Sequence, residues 1–306
     1  MKIIHISDLH LCGSHNSKNI DKTIELFDNI TNEDFDHLVI SGDIAHTAEK
    51  EDYITLREIL QKYNLLDASK TSIVIGNHDI FGGVVTAEDV VNFPGKCKNT
   101  DYKVKVQEFY EHFRELFYGC VFPDDGSLYP YLKIVENTAF FGINSVDEYS
   151  LVKNPLASNG KISKSQLLAL KNIAKKNDLS GKDKIAVVHH HFSKFTKDST
   201  HLNNPVWDRI EKSTMKLRRK KRIVSVFSEV GIRLVLHGHI HKSSVYEKEG
   251  IKFVNAGDSV DNSHKKNIKY QLIDVDETII CKQMEYRLEP EPFETDETKT
   301  YPVGII

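Results

Sequence analysis

The chain is poor in cysteine, with Cys12, Cys97, Cys120 and Cys281 the only four among 306 residues and no CxxC pair among them. That spacing speaks against a disulfide framework and against a thiolate zinc knuckle, and reads as free thiols in a reducing cytosol. No apolar run approaches the roughly 20 residues of a membrane-spanning helix. The N-terminus lacks the apolar segment and small-residue cleavage site of a secretory signal, so a soluble, cytoplasmic protein with no membrane partner is expected. Charge of one sign is scarce too. A formal net charge of −3 provides no global attraction to nucleic acid. No internal repeat is evident, and the one tryptophan, Trp207, reads as a core residue.

What is present is the composition of an ordinary globular protein, 40% hydrophobic and 28% charged. Five apolar runs end in the same kind of residue. "MKIIHISDLHL" runs from β-branched residues into Asp8 and His10, which point the same way because extended side chains alternate. "HLVISGDIAH" ends in Gly42-Asp43, and "SIVIGNHD" in Gly76-Asn77-His78-Asp79. "KIAVVHHH" ends in His189, His190 and His191, and "IRLVLHGHIH" in Gly238-His239-Ile240-His241. Helical spacing at 19–30 and 50–63 separates the first three runs, so parallel strand pairs are expected. Ligands of open α/β sheets sit beyond the carboxyl ends of the strands. Five strands therefore deliver Asp, Asn and His into one crevice.

The set Asp8, His10, Asp43, Asn77, His189 or a neighbour, His239 and His241 holds carboxylates and imidazoles but no thiolate. Such donors suit Mn²⁺, iron or Zn²⁺. Seven candidates exceed what one ion with open positions needs, whereas two ions sharing a carboxylate fit the count. Two ions about 3.5–4 Å apart lower the pKa of a water between them and neutralise oxygens that gain charge in an in-line displacement.

The five blocks, in this order from residue 3 to about 258, resemble the calcineurin-like metallophosphoesterase superfamily. The chain resembles the bacterial branch that includes cyclic-nucleotide phosphodiesterases more than it resembles the protein phosphatases. Family protein phosphatases usually end the third block in Glu, where this chain has Asp79. The resemblance implies an α/β fold, a four-layer αββα sandwich of two mixed β-sheets flanked by helices. It implies that Asp8, His10, Asp43 and His241 hold one metal. Asn77, His189 and His239 would hold the other, with Asp43 bridging and His190 the alternative to His189. Mn²⁺ or iron is the expected metal, with Zn²⁺, Co²⁺ or Ni²⁺ as further choices. A hydroxide between the ions would attack phosphorus while His78 assists the leaving group. Asn77, His78 and His190 are the expected substrate contacts, and Asp79 would support its loop. Glycines 42, 76 and 238 are expected to turn the backbone at the strand ends. Two departures stand out. The fourth block reads HHH where many relatives read HHP, and His46 stands where many carry an acid.

Residues 1–287 are expected to form one domain, with a helical insertion or flap at about 80–127. There "VQEFYEHFRELF" has helical spacing, while "GGVV" and "FPGK" read as loops. Segments 129–146 and 251–286 are expected to form a second sheet. Residues 288–306 form an acidic, proline-containing tail. The run "KLRRKKR" (216–222) is read as a solvated helix face. The expected function is hydrolysis of a small phosphodiester such as a cyclic nucleotide. The alternatives are a metal-dependent nuclease, which the basic run would favour, a phosphomonoesterase, and more remotely a non-catalytic scaffold that retains the fold.

Overall fold

The computed structural model describes residues 1–13, 18–84, 87–193, 215–260 and 267–288; Trp207 and the tail from residue 289 lie outside them. Two sheets form the centre. The first has the order β11-β10-β1-β2-β3, built from β1 (Lys2–Ile6), β2 (His37–Ile40), β3 (Thr71–Ile73), β10 (Asn267–Val275) and β11 (Ile279–Arg287). The second has the order β4-β5-β6-β7-β9-β8, with β4 (Tyr131–Val135), β5 (Thr138–Ile143), β6 (Asp183–Val188), β7 (Leu234–His237), β8 (Ser244–Lys248) and β9 (Ile251–Asn255). Strands β1, β2 and β3 are parallel, as are β5, β6, β7 and β9, while β10, β11, β4 and β8 add antiparallel edges. Both sheets are therefore mixed.

Side-chain alternation assigns each residue of the second sheet to one of two apolar layers. Ile185, Val187, Leu234 and Leu236 join the cluster between the sheets. Their neighbours Ala186, Val188 and Val235 join the cluster on the outer face, under helices α6 (Lys164–Lys176) and α7 (Lys220–Val230). On the other side, α1 (Lys18–Ile30) and α2 (Lys50–Lys62) bury Leu26, Phe27, Tyr53 and Leu56 against the first sheet. Helix–sheet–sheet–helix is the result, the expected four-layer sandwich. No helix among the described residues is long and apolar enough to cross a membrane.

Three local expectations are corrected. Residues 267–287 pair with β1 in the first sheet, not in the second, because β10 continues the ladder on the side of β1 that β2 leaves free. The segment "FPGK" lies inside helix α4 (Ala87–Asn99), Pro94 included. Phe93 and Cys97, one turn apart, are both buried, and that anchorage outweighs the hydrogen bond Pro94 removes. The basic run straddles the start of α7 instead of lying along a helix face, with Leu217 buried in its midst. The third block itself opens the short helix α3 (Asn77–Phe81), and helix α5 (Tyr102–His112) and a 3₁₀ turn (Arg114–Phe117) complete the segment that follows it.

The sheets are tied at their edges by Tyr131, whose hydroxyl on β4 donates to the carbonyl of Ile73 on β3 at 2.8 Å. Its ring lies over Gly142, the facing residue on β5, where any Cβ would collide with the ring. Gly142→Ala is expected to cost about 1–3 kcal/mol, read as a lower urea midpoint at unchanged slope; an unaltered midpoint would show that Tyr131 repacks freely.

Candidate metal centre

The candidate residues begin where the ladders end. Beyond β1 and β2 the two chains keep running side by side: Asp8 N–H donates to Gly42 O (3.0 Å), His10 to Asp43 O (3.1 Å) and Leu11 to Ile44 O (2.7 Å). To do so Asp8, His10 and Asp43 adopt φ of 55°, 45° and 51°, and His239 in the second sheet adopts 73°. Left-handed backbone costs a side-chain-bearing residue roughly 1–3 kcal/mol and persists where surrounding structure enforces it. Four of the seven candidate ligands carry that strain.

Asp79 provides much of the enforcement. Its Oδ1 accepts from the backbone N–H of Ile44 (3.0 Å) and Ala45 (2.9 Å), and its Oδ2 from Gly76 (2.8 Å), so one buried carboxyl clamps the loops after β2 and β3 together. Gly42 turns the backbone as expected, with φ 97°, but the other two glycines serve differently. Gly76 is extended, with φ −108°, and is needed because a Cβ would strike Asp43. At Gly238 a Cβ would strike Ser7 and Asp8. Absence of bulk, not turning, is the requirement at both.

Two groups of side chains meet here. Asp8, His10 and His241 present donor atoms within 4.8 Å of one another, and so do Asp43, His189 and His239. In the first, His10 Nε2 lies 3.3 Å from His241 Nε2, and Asp8 Oδ1 lies 3.9 Å from each. In the second, His189 Nε2 lies 3.2 Å from Asp43 Oδ2, 3.1 Å from Asn77 Oδ1 and 3.2 Å from His239 Nδ1. The sheets are joined across the gap: His239 N–H donates to Asp8 Oδ2 at 3.0 Å. His241 and His78 lie on the more open side, while Asp8, Asp43, His189 and His239 are buried.

Electrostatics separates the carboxyls. Burial pushes Asp8 up to about 6, with Asp43 adding to it and His189 opposing. Burial acts on Asp43 as well, but the neighbouring His189 and His78 outweigh it and hold that carboxyl well below the usual range. Asp43 acts electrostatically on His10 as well as on His189, so it stands between the groups.

The donor set fits cations. His189 Nδ1 is 2.9 Å from the Ser41 carbonyl, which can only accept, so Nδ1 carries the proton. In the neutral ring Nε2 is then a lone pair, facing Asp43 Oδ2, Asn77 Oδ1 and His239 Nδ1. Electron-pair donors crowding one point are stable around a positive charge and costly without one. Each group could hold one cation.

Among neighbouring positions, the structure directs His189, not His190, into this cluster. His190 is wholly buried, its Nδ1 2.9 Å from Ser145 Oγ and its ring 4.3 Å from that of His239. His190 therefore presents no exposed face in this structure. His46, noted in the sequence only as standing where many relatives carry an acid, joins His10 and His78 in a third group. That place, three residues after Asp43, is its signal in the sequence.

A family model described as calcineurin-like phosphoesterase matches residues 1–243. The uncharacterized metallophosphoesterase-like protein YydB of Bacillus subtilis (strain 168) is 26% identical over 263 residues, covering 80% of this chain and 49% of the relative. The chain thus spans about half the length of that curated relative. Among solved structures, a dimetal phosphatase from Danio rerio superposes with a TM-score of 0.58 at 12% identity, covering 94% of this chain and 98% of the other. Purple acid phosphatase PPD1 from yellow lupin (Lupinus luteus) seeds gives 0.51 at 11% identity, covering 89% and 49%. At these identities the likeness is one of fold.

Removing the Asp79 clamp strands three backbone donors, each costing about 1–3 kcal/mol if left unsatisfied. Asp79→Ala is therefore expected to destabilise the protein by about 3 kcal/mol or more, measured by thermal or urea unfolding. A loss under about 1 kcal/mol would mean water replaces the carboxyl.

Proposed function

We propose, from the premise that the chain belongs to the calcineurin-like phosphoesterase family, that it hydrolyses a small phosphodiester, such as a cyclic nucleotide, at a two-metal centre. The observation that carries this reading is the meeting of Asp8, His10 and His241 with Asp43, His189 and His239 at the carboxyl ends of strands from both sheets. Asp8, His10, Asp43 and His241 would hold one ion; Asn77, His189 and His239, with Asp43 shared, would hold the other. Mn²⁺ or iron suits the donors best, with Zn²⁺, Co²⁺ or Ni²⁺ also compatible. When bound, such a pair makes water a competent nucleophile at neutral pH and offsets charge on the phosphoryl oxygens.

The chain's own groups supply orientation and a proton. His78 is held at two points: its backbone N–H donates to Asp43 Oδ1 at 2.8 Å, and its Nδ1 lies 3.1 Å from the His46 carbonyl. A carbonyl accepts, so Nδ1 keeps its proton, and in the imidazolium form Nε2 is the nitrogen that passes its proton to the leaving oxygen and is left as a lone pair. Asn77 turns Oδ1 toward His189 and leaves its amide N–H₂ for a phosphoryl oxygen. The preference for a diester rests on the motif resemblance. Cys12, Cys97, Cys120 and Cys281 form no disulfide with one another, which supports a cytoplasmic location.

The test is Mn²⁺-dependent hydrolysis of nitrophenyl diester and monoester substrates, with cyclic nucleotides and a short oligonucleotide beside them. Diesterase activity is expected, with His78→Ala lowering kcat about 10²–10⁴-fold at unchanged metal content and Asn77→Ala also impaired. Activity confined to the monoester would make this a phosphomonoesterase, and an unimpaired His78→Ala would remove that residue from the chemistry.

One observation favours a second reading, a nuclease. A cavity of about 610 Å³ beside the start of α7 is lined by Lys153, Lys161, Lys164, Arg218, Arg219 and Arg222. Asp147 engages Lys161 (3.2 Å) and Arg218 (3.4 Å); the other four form no ion pair among the described residues. Cations gathered in a cavity suit the phosphates of a strand. Under this reading, oligonucleotide affinity falls linearly with log salt, and Arg219→Ala and Arg222→Ala each reduce that slope by about 1. A slope that neither variant changes would return the run to a solvated surface.

A further inference from the structure

We propose that His46 is a positioning residue that sets the tautomers of the two histidines beside it, His10 through its side chain and His78 through its main-chain carbonyl. The inference rests on the two-metal reading above for its consequence, the affinity of the centre, but its hydrogen bonds can be tested without any metal.

The side-chain half begins at the rim. The backbone of Val84 favours a proton on the His46 ring, as an accepting carbonyl does. The ring's Nδ1 is turned the other way, 3.4 Å from His10 Nδ1, with the two rings nearly perpendicular and centroids 5.4 Å apart. An acceptor there takes a ring proton, and because Nδ1 is the nitrogen turned to His10, we place that proton on His46 Nε2. A neutral His46 then presents a lone pair at Nδ1, and the pair of rings is satisfied when His10 donates from its own Nδ1. That leaves His10 Nε2 bare, and Nε2 is the atom that faces Asp8 Oδ1 and His241 Nε2. Without a fixed acceptor at Nδ1, an imidazole divides between tautomers, and the population protonated at Nε2 has no lone pair for an ion. Partners that orient a ligand histidine in this way typically change metal affinity 10–100-fold when removed.

The main-chain half uses the same residue. The His46 carbonyl accepts from Gly83 N–H at 2.6 Å and from His78 Nδ1 at 3.1 Å, which occupies both of its lone pairs. A Cβ at Gly83 would collide with the His78 ring, so the loop closes directly over it. A side-chain substitution at residue 46 leaves this carbonyl in place. His10 and His78 should therefore respond differently to the same variant, which separates positioning from a general loss of order.

The experiment uses the full chain, ¹⁵N-labelled and dialysed against a chelator, with histidine tautomers read from two-bond ¹H–¹⁵N spectra. In the wild type His10 is expected as the Nδ1–H form and so is His78. In His46→Phe, His10 should lose that preference while His78 keeps it. Titration with Zn²⁺ by calorimetry should show affinity about 10–100-fold weaker for His46→Phe. His46→Asn, whose amide oxygen can replace the Nδ1 acceptor, should recover most of it. A wild-type His10 protonated at Nε2 overturns the proposal whatever the variants do. So does a His46→Phe protein that keeps both the His10 tautomer and the wild-type affinity. If the wild type takes up no Zn²⁺ or Mn²⁺, the two-metal reading fails, and this proposal's consequence fails with it; the His10 tautomer still decides whether the hydrogen bond exists.

Discussion

The hydrogen bond from the His239 backbone to the Asp8 carboxylate is the contact on which the open end of this protein depends. Asp8 follows the first strand of one sheet and His239 follows a strand of the other, and 231 residues separate them in the chain. Where they touch, no atom is spare. Gly238 has no side chain because Ser7 and Asp8 occupy its space. The second tie, from His189 Nδ1 to the Ser41 carbonyl, spans 148 residues and joins the same two sheets. Two layers that could otherwise slide on an apolar interface are thus registered by polar contacts at one end.

That registration has a cost, which explains the distribution of support. Four left-handed residues and two buried carboxyls are collected in one place, an arrangement that destabilises unless neighbouring groups enforce it. Asp79 clamps the backbone on the first-sheet side. On the second-sheet side, buried histidines are braced by neutral partners: His190 by Ser145, and His237 by the Tyr246 hydroxyl at 2.9 Å. The polar residues that touch no candidate donor are therefore as much part of the site as those that do. Most of them would pass in a sequence as ordinary serines, tyrosines and histidines.

Local pattern made much of this legible. Apolar runs of β-branched residues announce strands, and an Asp, Asn or His at the end of each is conspicuous because the period-2 rule puts it where the core stops. The candidates Asp8, His10, Asp43, Asn77, His239 and His241 were all readable for that reason. The choice within HHH was readable only in part, since adjacent residues on an extended chain face opposite ways and sequence does not say which face is which. "FPGK" misled because proline and glycine are local signals, whereas Phe93 and Cys97 are held by distant core residues.

What the sequence by itself determined is the inventory: carboxylate, carboxamide and imidazole donors, no thiolate, and five strand ends on which to place them. Tertiary structure alone decided which donors meet. It put β10 and β11 beside β1, turned His189 toward Asp43 and His190 toward Ser145, and brought His46 against both His10 and His78. The physical reason is reach. A strand's alternation is settled within a few residues, but the tautomer of an imidazole is settled by whichever acceptor stands 3 Å away, and here that acceptor is supplied by a chain segment 36 to 148 residues distant.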